Sequence, residues 1–351
     1  MTFSDSDLAA FGWNDFFAAQ YAPDDQVIPV RVVAVHRGAL HVAGPAVDTL
    51  MPPFFGDAGD EEAAATVGDW LLLDAATGRP RCLLRRRSLF KRRAAGTGRA
   101  LQLIAANVDT LFVVSSCNQD FNVARLERYL ALAREADVTP VVVLTKADLT
   151  NAPASYAGAA AGLLPGLMVK AVDARTAAGV ADLAPWCAPG RTVALVGSSG
   201  VGKSTLINTL TGTDEIATQG IRAADDRGQH TTTARALHRL PSGGWLLDTP
   251  GMRELQLSDV RAGLDDVYGD IVTLARACRF GDCRHDSEPG CAVRAAIEAG
   301  SLDPGRLLRW RKLMAEDSHN SESLAQRRAR SRAFGKMARR IMKDKRTRWQ
   351  E

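Results

Sequence analysis

A glycine-rich loop near the middle of the chain has the residue types and the spacing that bind phosphate groups. Its sequence fits the pattern Gly-x-x-x-x-Gly-Lys-Ser. The glycines let the backbone curl with its N–H groups pointing inward, Lys203 can reach the β- and γ-phosphates of a nucleotide, and Ser204 can hold Mg²⁺. An apolar strand precedes the loop and a helix follows, so the helix N-terminus adds partial positive charge. The predicted phosphate-binding residues are Gly197, Ser198, Ser199, Gly200, Val201, Gly202, Lys203, Ser204 and Thr205.

A second motif, Asp-Thr-Pro-Gly, follows an apolar strand 45 residues after Lys203. Its aspartate, Asp248, can hold the Mg²⁺ shell, and the peptide of Gly251 can meet the γ-phosphate. Asp-x-x-Gly alone is a weak signal, but this distance from a phosphate loop strengthens it. One threonine of residues 231–233 should close on Mg²⁺ as a switch. The predicted magnesium set is Ser204, Thr232 and Asp248.

Three cysteines and a histidine crowd together near the C-terminal end with the spacing Cys-x₄-Cys-x-His-x₅-Cys. Three thiolates and one imidazole suit tetrahedral structural Zn²⁺ and leave no open position for catalysis. The metal would fasten a short loop that lacks the apolar residues for a core of its own. The alternative is a reduced Cys/His-rich loop. The predicted ligands are Cys278, Cys283, His285 and Cys291.

The residues Thr145, Lys146, Ala147 and Asp148 follow another apolar strand and resemble the Asn-Lys-x-Asp motif by which translation-factor GTPases read guanine. The aspartate there accepts hydrogen bonds from the guanine N1–H and 2-amino group. Adenine has no such donors, so Asp148 would reject ATP. Thr145 stands where asparagine is usual. Asp173 and Ala174 resemble the Ser-Ala motif that backs the base, with aspartate where serine is commoner.

The motifs occur in a rotated order, because the base-reading motif precedes the phosphate loop instead of following it. A circular permutant can keep its fold if the original termini lie close together. With this order, residues 105–109, residues 228–233 and the Cys/His spacing, the chain resembles the ribosome small-subunit-dependent GTPase A (RsgA) family over about residues 27–320. The resemblance implies an N-terminal OB-fold, a circularly permuted GTPase domain, a C-terminal zinc domain and a role in late maturation of the small ribosomal subunit.

The chain lacks the glutamine that many GTPases use in hydrolysis. Met252 follows Asp-x-x-Gly at the position where many GTPases have the glutamine that orients the attacking water. Methionine cannot hydrogen-bond to water, so we expect slow intrinsic turnover and a substitute from elsewhere in the chain or from a partner. His230, beside the threonines, is the predicted catalytic residue, since an imidazole can orient water or accept a proton. The family resemblance points to the same residue. The alternative is a loop histidine without a catalytic part.

The composition is that of a globular protein. The chain has 351 residues, of which 46% are hydrophobic and 24% charged. This excludes a chain disordered throughout, a collagen and a coiled coil, and the length suggests two or three domains. No apolar run is long enough for a membrane span, and the first residues do not resemble a secretory signal. Six cysteines are too few for a disulfide scaffold, so we expect the reducing cytoplasm. Nothing in the sequence demands a dimer, so we expect a monomer.

Four regions follow from the patterning. Residues 1–26 are acidic and expected to be poorly ordered. Residues 27–93 contain several short strands, which indicate a small all-β barrel or sandwich, and the resemblance specifies an OB-fold. Residues 94–260 alternate strand and helix, which predicts a parallel sheet covered on both faces. Residues 261–351 are predicted to be mostly helical, with the metal ligands in a loop and a basic tail.

Positive charge is concentrated in two places, although the net charge is only +4. Residues 85–93 hold six basic side chains and residues 327–348 hold eleven, as expected for a polyanion partner. Phosphate contacts from both stretches would give affinity for rRNA with little sequence specificity. The alternative is a solvated surface. The predicted RNA-binding residues of the first stretch are Arg85, Arg86, Arg87, Lys91, Arg92 and Arg93.

Three functions remain open from the sequence. The leading one is a GTPase that binds the small ribosomal subunit, hydrolyses GTP to GDP and phosphate under stimulation by that subunit, and requires Mg²⁺ and one structural Zn²⁺. The second is a P-loop ATPase or nucleotide kinase with an accessory RNA-binding domain. The third is a nucleotide-gated RNA-binding module whose hydrolysis has no role in the cell. Asp148 separates the first from the second, because it predicts guanine over adenine.

Overall fold

The computed structural model describes residues 5–20, 26–56, 60–93, 101–213, 235–248 and 259–321. Within these ranges the fold consists of strands in the N-terminal part, alternating strands and helices in the middle, and helices at the C-terminal end. None of the helices in these ranges combines the length and the apolar character that a membrane crossing requires.

The N-terminal segment is folded over residues 5–20, contrary to the expectation of poor order. It forms the short helices α1 (Asp5–Ala9) and α2 (Asp15–Ala18). Trp13 packs edge-on against Trp70 with ring centroids 4.8 Å apart, and Phe17 is buried beside them. The acidic composition suggested a solvated lead-in, but the aromatic side chains between the acids provide enough apolar surface to hold the segment in place.

The next five strands along the chain form one antiparallel sheet. One apolar face of this sheet buries a single cluster that includes Val30, Val42 and Leu71, because period-two alternation places such residues on the same side. The predicted all-β unit is therefore confirmed as a sheet. Its strands are β1 (Val27–His36), β2 (Ala39–Gly44), β3 (Val47–Met51), β4 (Trp70–Asp74) and β5 (Pro80–Leu83), and they lie in the order β3-β2-β1-β4-β5.

The basic stretch 85–93 is partly a strand rather than only a linker. Strand β6 (Leu89–Arg93) pairs antiparallel with β7 (Leu101–Ala106) in a separate two-stranded sheet. Phe90 and Ile104 from these strands are buried in the core that also serves the following α/β region. The basic residues of β6 therefore stand on an element fixed by packing.

The predicted parallel sheet is present. Strands β8 (Thr110–Ser116), β9 (Thr139–Thr145), β10 (Met168–Ala171), β11 (Thr192–Val196), β12 (Arg235–Arg239) and β13 (Trp245–Asp248) lie in the order β10-β9-β8-β11-β13-β12. All pairings are parallel except the last, between β13 and β12. Strands β8 and β11 are buried along their whole length, as expected for strands covered on both faces.

The two sheets are joined, which the sequence patterning did not predict. Strand β12 pairs antiparallel with the end of β1, where Ala34 lies opposite Ala236 and Val35 opposite Arg235. Strand β1 is ten residues long and thus belongs to both parts of an eleven-stranded sheet. The boundaries at residues 93 and 260 stay predictions.

Helices of the α/β region cover the parallel sheet. They are α3 (Val123–Glu135), α4 (Pro153–Ala161) and α5 (Lys203–Thr211), with short 3₁₀ helices at Ala147–Leu149 and Ala181–Cys187. Asn122 caps α3, and its side chain accepts a hydrogen bond from the backbone N–H of Arg125 at 3.0 Å. Leu126 and Leu130 are four residues apart, so they lie on the same face of α3, and both are buried.

The C-terminal lobe is helical, as predicted, over residues 261–321. It comprises α6 (Arg261–Val267), α7 (Gly269–Arg276), α8 (Ala292–Glu298) and α9 (Pro304–Ser321). Helix α6 lies directly on α3. A Cβ atom at Gly263 would stand 2.1 Å from the carbonyl oxygen of Ala131, so only glycine permits this approach. The lobe and the α/β region therefore share one core.

Candidate nucleotide site and metal centre

The predicted nucleotide-binding motifs converge at one edge of the parallel sheet. The phosphate loop follows β11, the Thr-Lys-Ala-Asp motif begins at the end of β9, and Asp173 follows β10. Strand β13, which ends at Asp248, lies beside β11. Carboxyl ends of parallel strands meet at the same edge, which is where open α/β sheets bind ligands.

The phosphate loop has the tight curvature that its glycines predict. Gly197 has a φ of 150°, and a Cβ atom there would lie 2.2 Å from the carbonyl oxygen of Val114. Helix α5 begins at Lys203, so its N-terminus faces the loop. The ammonium group of Lys203 donates a hydrogen bond to the carbonyl of Ser198, which keeps it over the loop. The loop thus has the form of a phosphate cradle.

The base-reading strand is tied to the phosphate loop by side chains of its own motif. The hydroxyl oxygen of Thr145 lies 2.5 Å from the carbonyl oxygen of Val201. Lys146 adopts a left-handed conformation, with φ at 57°, and its ammonium donates to the carbonyl of Gly200 at 2.9 Å. Thr145, which departs from the usual asparagine, is therefore a buried link between the two motifs.

The residues predicted to contact the base form a charged corner beside this strand. Arg175 donates from Nη2 to Oδ2 of Asp148 at 2.7 Å and from Nε to Oδ1 of Asp173 at 3.0 Å. The hydrogen bond from the Arg175 side chain to Asp173, with one from the Arg175 backbone, holds the pKa of Asp173 below its ordinary value. Thr209 of α5 donates to the carbonyl of Ala174 at 2.6 Å. The structure thus brings Asp148, Asp173 and Ala174 together.

Several residues that the motifs single out lie outside the described residues. They are the predicted catalytic residue His230, the predicted magnesium ligand Thr232, the predicted GTP-binding residue Gly251, and Met252, which stands in place of the usual glutamine. Asp248 is described only as the last residue of β13. The magnesium set and the catalytic histidine therefore stay predictions.

The four predicted metal ligands form one cluster between α7 and α8. Their ligand atoms all lie within 4.8 Å of one another. The sulfurs of Cys278 and Cys291 are 3.9 Å apart, and Nδ1 of His285 is 3.6 Å and 3.5 Å from them. A tetrahedral ion with zinc-like bond lengths places two sulfurs about 3.8 Å apart and a sulfur and a nitrogen about 3.6 Å apart. The cluster, completed by Cys283, therefore fits a tetrahedral metal ion.

Surrounding contacts hold these ligands in position. Cys291 is the N-cap residue of α8, and its sulfur accepts a hydrogen bond from the backbone of Arg294 at 3.4 Å. The ring of Trp310 on α9 lies 6.0 Å from that of His285. Burial, followed by the nearby charge of Arg311, lowers the pKa of His285. The neutral imidazole that ligates metals is thereby favoured.

One residue of the basic stretch, Arg86, points inward. Its guanidinium donates to both oxygens of Asp69 at 2.8 Å and to the carbonyls of Glu62 and Ala64 at 2.6 Å and 2.7 Å. The side chain of Asp69 is fully buried, and burial raises its pKa. Removing Arg86 would leave that carboxyl group without its partner, so we assign Arg86 to the structure of the β unit rather than to RNA.

Four other basic residues of the stretch are nearer to the surface but have partners. Arg87 pairs with Asp109, Lys91 with Glu62, and Arg92 with Gln102, while Arg85 contacts Gln20. Arg85, Arg87 and Lys91 are exposed, so a polyanion can reach them. The side chain of Arg93 and the second basic stretch, residues 327–348, lie outside the described part of the chain.

Three charged residues, two at the nucleotide site and one at the junction with the C-terminal lobe, were missed from the sequence. Arg175 bridges the base-reading carboxylates, Arg125 donates to the hydroxyl of Ser198 at 3.0 Å, and Glu127 joins α3 to the C-terminal lobe. Arg175 could have been predicted, because an aspartate in place of serine at position 173 is stabilised by a nearby positive charge. No local pattern marks the other two.

The fold and the site together define a P-loop nucleotide-binding protein whose base-reading strand precedes its phosphate loop. The comparison with protein-family models agrees, since the model described as RsgA GTPase matches residues 83–258. The chain is 48% identical over 345 residues to "Small ribosomal subunit biogenesis GTPase RsgA 2" of Vibrio parahaemolyticus, covering 98% of this chain and 95% of that protein. It is 49% identical over 328 residues to "Small ribosomal subunit biogenesis GTPase RsgA" of Mesorhizobium japonicum, covering 92% and 93%. The chain therefore belongs to the RsgA GTPase family.

Solved structures agree on the fold. YjeQ from Thermotoga maritima aligns with a TM-score of 0.59 at 22% identity, covering 83% of this chain and 98% of that one. YloQ, described as a circularly permuted GTPase, aligns with a TM-score of 0.58 at 23% identity, covering 86% and 99%. The circularly permuted GTPase fold predicted from the motif order is thus confirmed.

Proposed function

We propose that this protein is a GTPase that binds the small ribosomal subunit, acts late in its maturation and hydrolyses GTP faster when the subunit is bound. The observation that carries the proposal is the convergence of the phosphate loop and the Thr-Lys-Ala-Asp motif at one sheet edge, joined by Thr145 and Lys146. Relatives bearing the small-subunit biogenesis name match nearly the whole chain, which supports carrying the same partner over.

Each motif has a defined part in nucleotide binding. The backbone N–H groups of residues 197–204 and the ammonium of Lys203 surround the phosphates. Asp148 accepts from the guanine N1–H and 2-amino group, while the stem of Lys146 packs over the base. Ala174, held by Thr209, backs the ring. Asp148 is the residue that separates this proposal from a P-loop ATPase or nucleotide kinase.

Hydrolysis depends on residues at the same edge. Ser204 in the first turn of α5 and Asp248 at the end of the neighbouring strand are the proposed contacts to magnesium, with Thr232 closing over them. Magnesium, when bound, neutralises charge on the β- and γ-phosphates. His230 orients the attacking water in place of the glutamine that Met252 replaces.

The flanking parts supply the subunit contacts. We propose that strands β1 to β5 form an OB-fold and that Arg85, Arg87, Lys91 and Arg92 beside it contact rRNA phosphates, together with the tail at 327–348. The Cys₃His cluster holds one structural Zn²⁺, because its spacing and distances suit zinc and all four positions are filled by protein.

The test is hydrolysis of GTP and of ATP, each with and without purified small ribosomal subunits. We expect slow GTP turnover that rises strongly with the subunit, and no turnover of ATP. Equal use of ATP would contradict the role of Asp148. A GTP hydrolysis rate that does not change when the subunit is added would contradict the proposal that the small ribosomal subunit is the partner. A His230→Ala variant that keeps the stimulated rate would remove His230 from the mechanism.

A further inference from the structure

The guanine-reading corner contains two carboxylates where one would suffice. Asp148 and Asp173 both contact the same guanidinium, so they lie close to each other. Ionised carboxylates accept hydrogen bonds but cannot donate them, and two of them side by side repel. Asp173 therefore cannot orient Asp148 directly, as a hydroxyl at that position could by donating to it.

Arg175 donates hydrogen bonds to both carboxylates and so offsets the repulsion between them. Its Nη2 donates to Oδ2 of Asp148 at 2.7 Å and to Oδ2 of Asp173 at 3.1 Å, and its Nε donates to Oδ1 of Asp173 at 3.0 Å. The backbone N–H of Arg175 donates to the same Oδ1 at 3.0 Å. The guanidinium is thus anchored on Asp173 at two nitrogens and presents a third hydrogen bond to Asp148.

We propose that Arg175 is a positioning residue for guanine recognition, which turns Asp173 into an anchor and fixes the carboxylate of Asp148 in the orientation that reads the base. This inference rests on the proposed function, because it assumes that Asp148 accepts from guanine. Arg175 contacts one oxygen of Asp148, and a carboxylate has about four lone-pair sites, so two hydrogen bonds from guanine remain compatible with this contact.

Neighbouring contacts limit how the corner can move. Thr209 fixes the carbonyl of Ala174, the residue between Asp173 and Arg175. Lys146, two residues before Asp148, is held on the phosphate loop. The Asp173 end of the bridge therefore lies beside a fixed backbone carbonyl, and the Asp148 end is tethered to the phosphate loop through the Lys146 side chain. The guanidinium then limits the rotation of the Asp148 carboxylate.

The experiment compares the affinities of GDP, inosine diphosphate and ADP for the full-length protein and its Arg175→Ala variant. Inosine lacks the 2-amino group, so the ratio of its affinity to that of GDP reports the second hydrogen bond to Asp148. We expect Arg175→Ala to weaken GDP about three- to tenfold, the range for losing one partly exposed charged hydrogen bond. Binding of inosine diphosphate should weaken less, so the ratio of its affinity to that of GDP rises, and ADP affinity should not change, because the phosphate loop is intact.

Three further variants sharpen the result. Arg175→Lys keeps the positive charge but loses the planar guanidinium that donates to both carboxylates. It should therefore bring the affinity ratio only part of the way back to the wild-type value. Adding Asp173→Ser to Arg175→Ala removes the second carboxylate and supplies a hydroxyl, so this double variant should recover GDP affinity. Lys170→Ala, which breaks a nearby exposed pair with Asp182, is the matched control and should change nothing.

The outcomes separate two failures. If the wild-type protein binds GDP, inosine diphosphate and ADP equally, Asp148 does not read guanine and the proposed function fails. If the wild-type protein discriminates and Arg175→Ala keeps the same ratio, the positioning role is wrong while the function stands. Tighter GDP binding by Arg175→Ala would also overturn the inference, because it would make Arg175 a competitor for Asp148.

Discussion

The C-terminal lobe and the guanine-reading corner both depend on arginine–carboxylate contacts, but at opposite levels of burial. In the lobe junction the side chain of Glu127 is 0% exposed and receives Arg306 at 3.1 Å and Arg309 at 2.7 Å from α9. In the corner, the side chain of Arg175 is 62% exposed. A buried pair is costly to break, whereas an exposed pair leaves its carboxylates within reach of a ligand. The first arrangement suits a fixed joint and the second a binding site.

The metal cluster adds a second fixed element to the lobe. It lies between α7 and α8, and Trp310 connects its histidine to the helix that carries Arg306 and Arg309. A short loop tied by four protein ligands has few other sources of stability. Loss of the metal should therefore disturb the lobe more than any single ion pair.

The largest effect is expected from removing a metal ligand. Cys291→Ser should reduce bound zinc from one per chain to almost none and should make the lobe unfold at lower temperature than the rest. Metal analysis and calorimetry measure these two results. Cys82→Ser is the matched control, because Cys82 is an exposed thiol on β5. A protein purified without chelator that contains no zinc would contradict the structural role of the metal.

Removal of Glu127 should rank second. Glu127→Ala leaves two arginines without their shared buried carboxylate, and such a loss costs about 3–5 kcal/mol of unfolding free energy. Urea unfolding measures it. The control is Glu316→Ala, which removes the half-exposed partner of Arg128 at the same junction and should cost about 1 kcal/mol or less. Equal effects of the two variants would mean that burial does not decide the strength of these contacts.

Removal of Asp148 should leave stability almost unchanged and act on nucleotide choice. Asp148→Ala loses two hydrogen bonds from guanine to a charged acceptor, which predicts at least about 100-fold weaker GDP binding. ADP affinity should be unaffected. Titration calorimetry with both nucleotides measures this, and Asp182→Ala is the control on the same surface. A variant that unfolds more easily but still prefers guanine would assign Asp148 to structure instead.

Short-range chemistry explains which parts of the molecule were predictable. The phosphate loop, the Thr-Lys-Ala-Asp motif and the Cys/His cluster each place their residues within a short stretch, and the structure brings the residues of each together. The parallel sheet was visible in its continuous apolar strands. Features that depend on distant partners were missed. Glu127 and Arg306 are 179 residues apart, and β1 pairs with β12 across two predicted units.

Arg86 was predicted to bind RNA, and this prediction also failed to take account of a partner elsewhere in the chain. It lies in a dense basic run, and from the sequence it cannot be distinguished from its exposed neighbours. Its partner Asp69 precedes it by 17 residues and is an acid buried at the start of β4. Charge density predicts where a polyanion binds on average, but burial decides which member of the run is committed to the fold.

The smallest expected effect on stability comes from the Arg134 pair. It tests whether burial or location at the junction decides how much an ion pair contributes. Arg134 on α3 pairs with Asp266 on α6, within the same junction as Glu127, but their side chains are 39% and 53% exposed. If location at the junction, rather than burial, decided the strength of these contacts, Arg134→Ala would destabilise the protein as much as Glu127→Ala does. We expect a loss of about 1 kcal/mol or less, because exposed pairs are screened by water and salt. Urea unfolding at low and high salt tests this, and a cost that matches Glu127→Ala and persists at high salt would shift the explanation from burial to the junction itself.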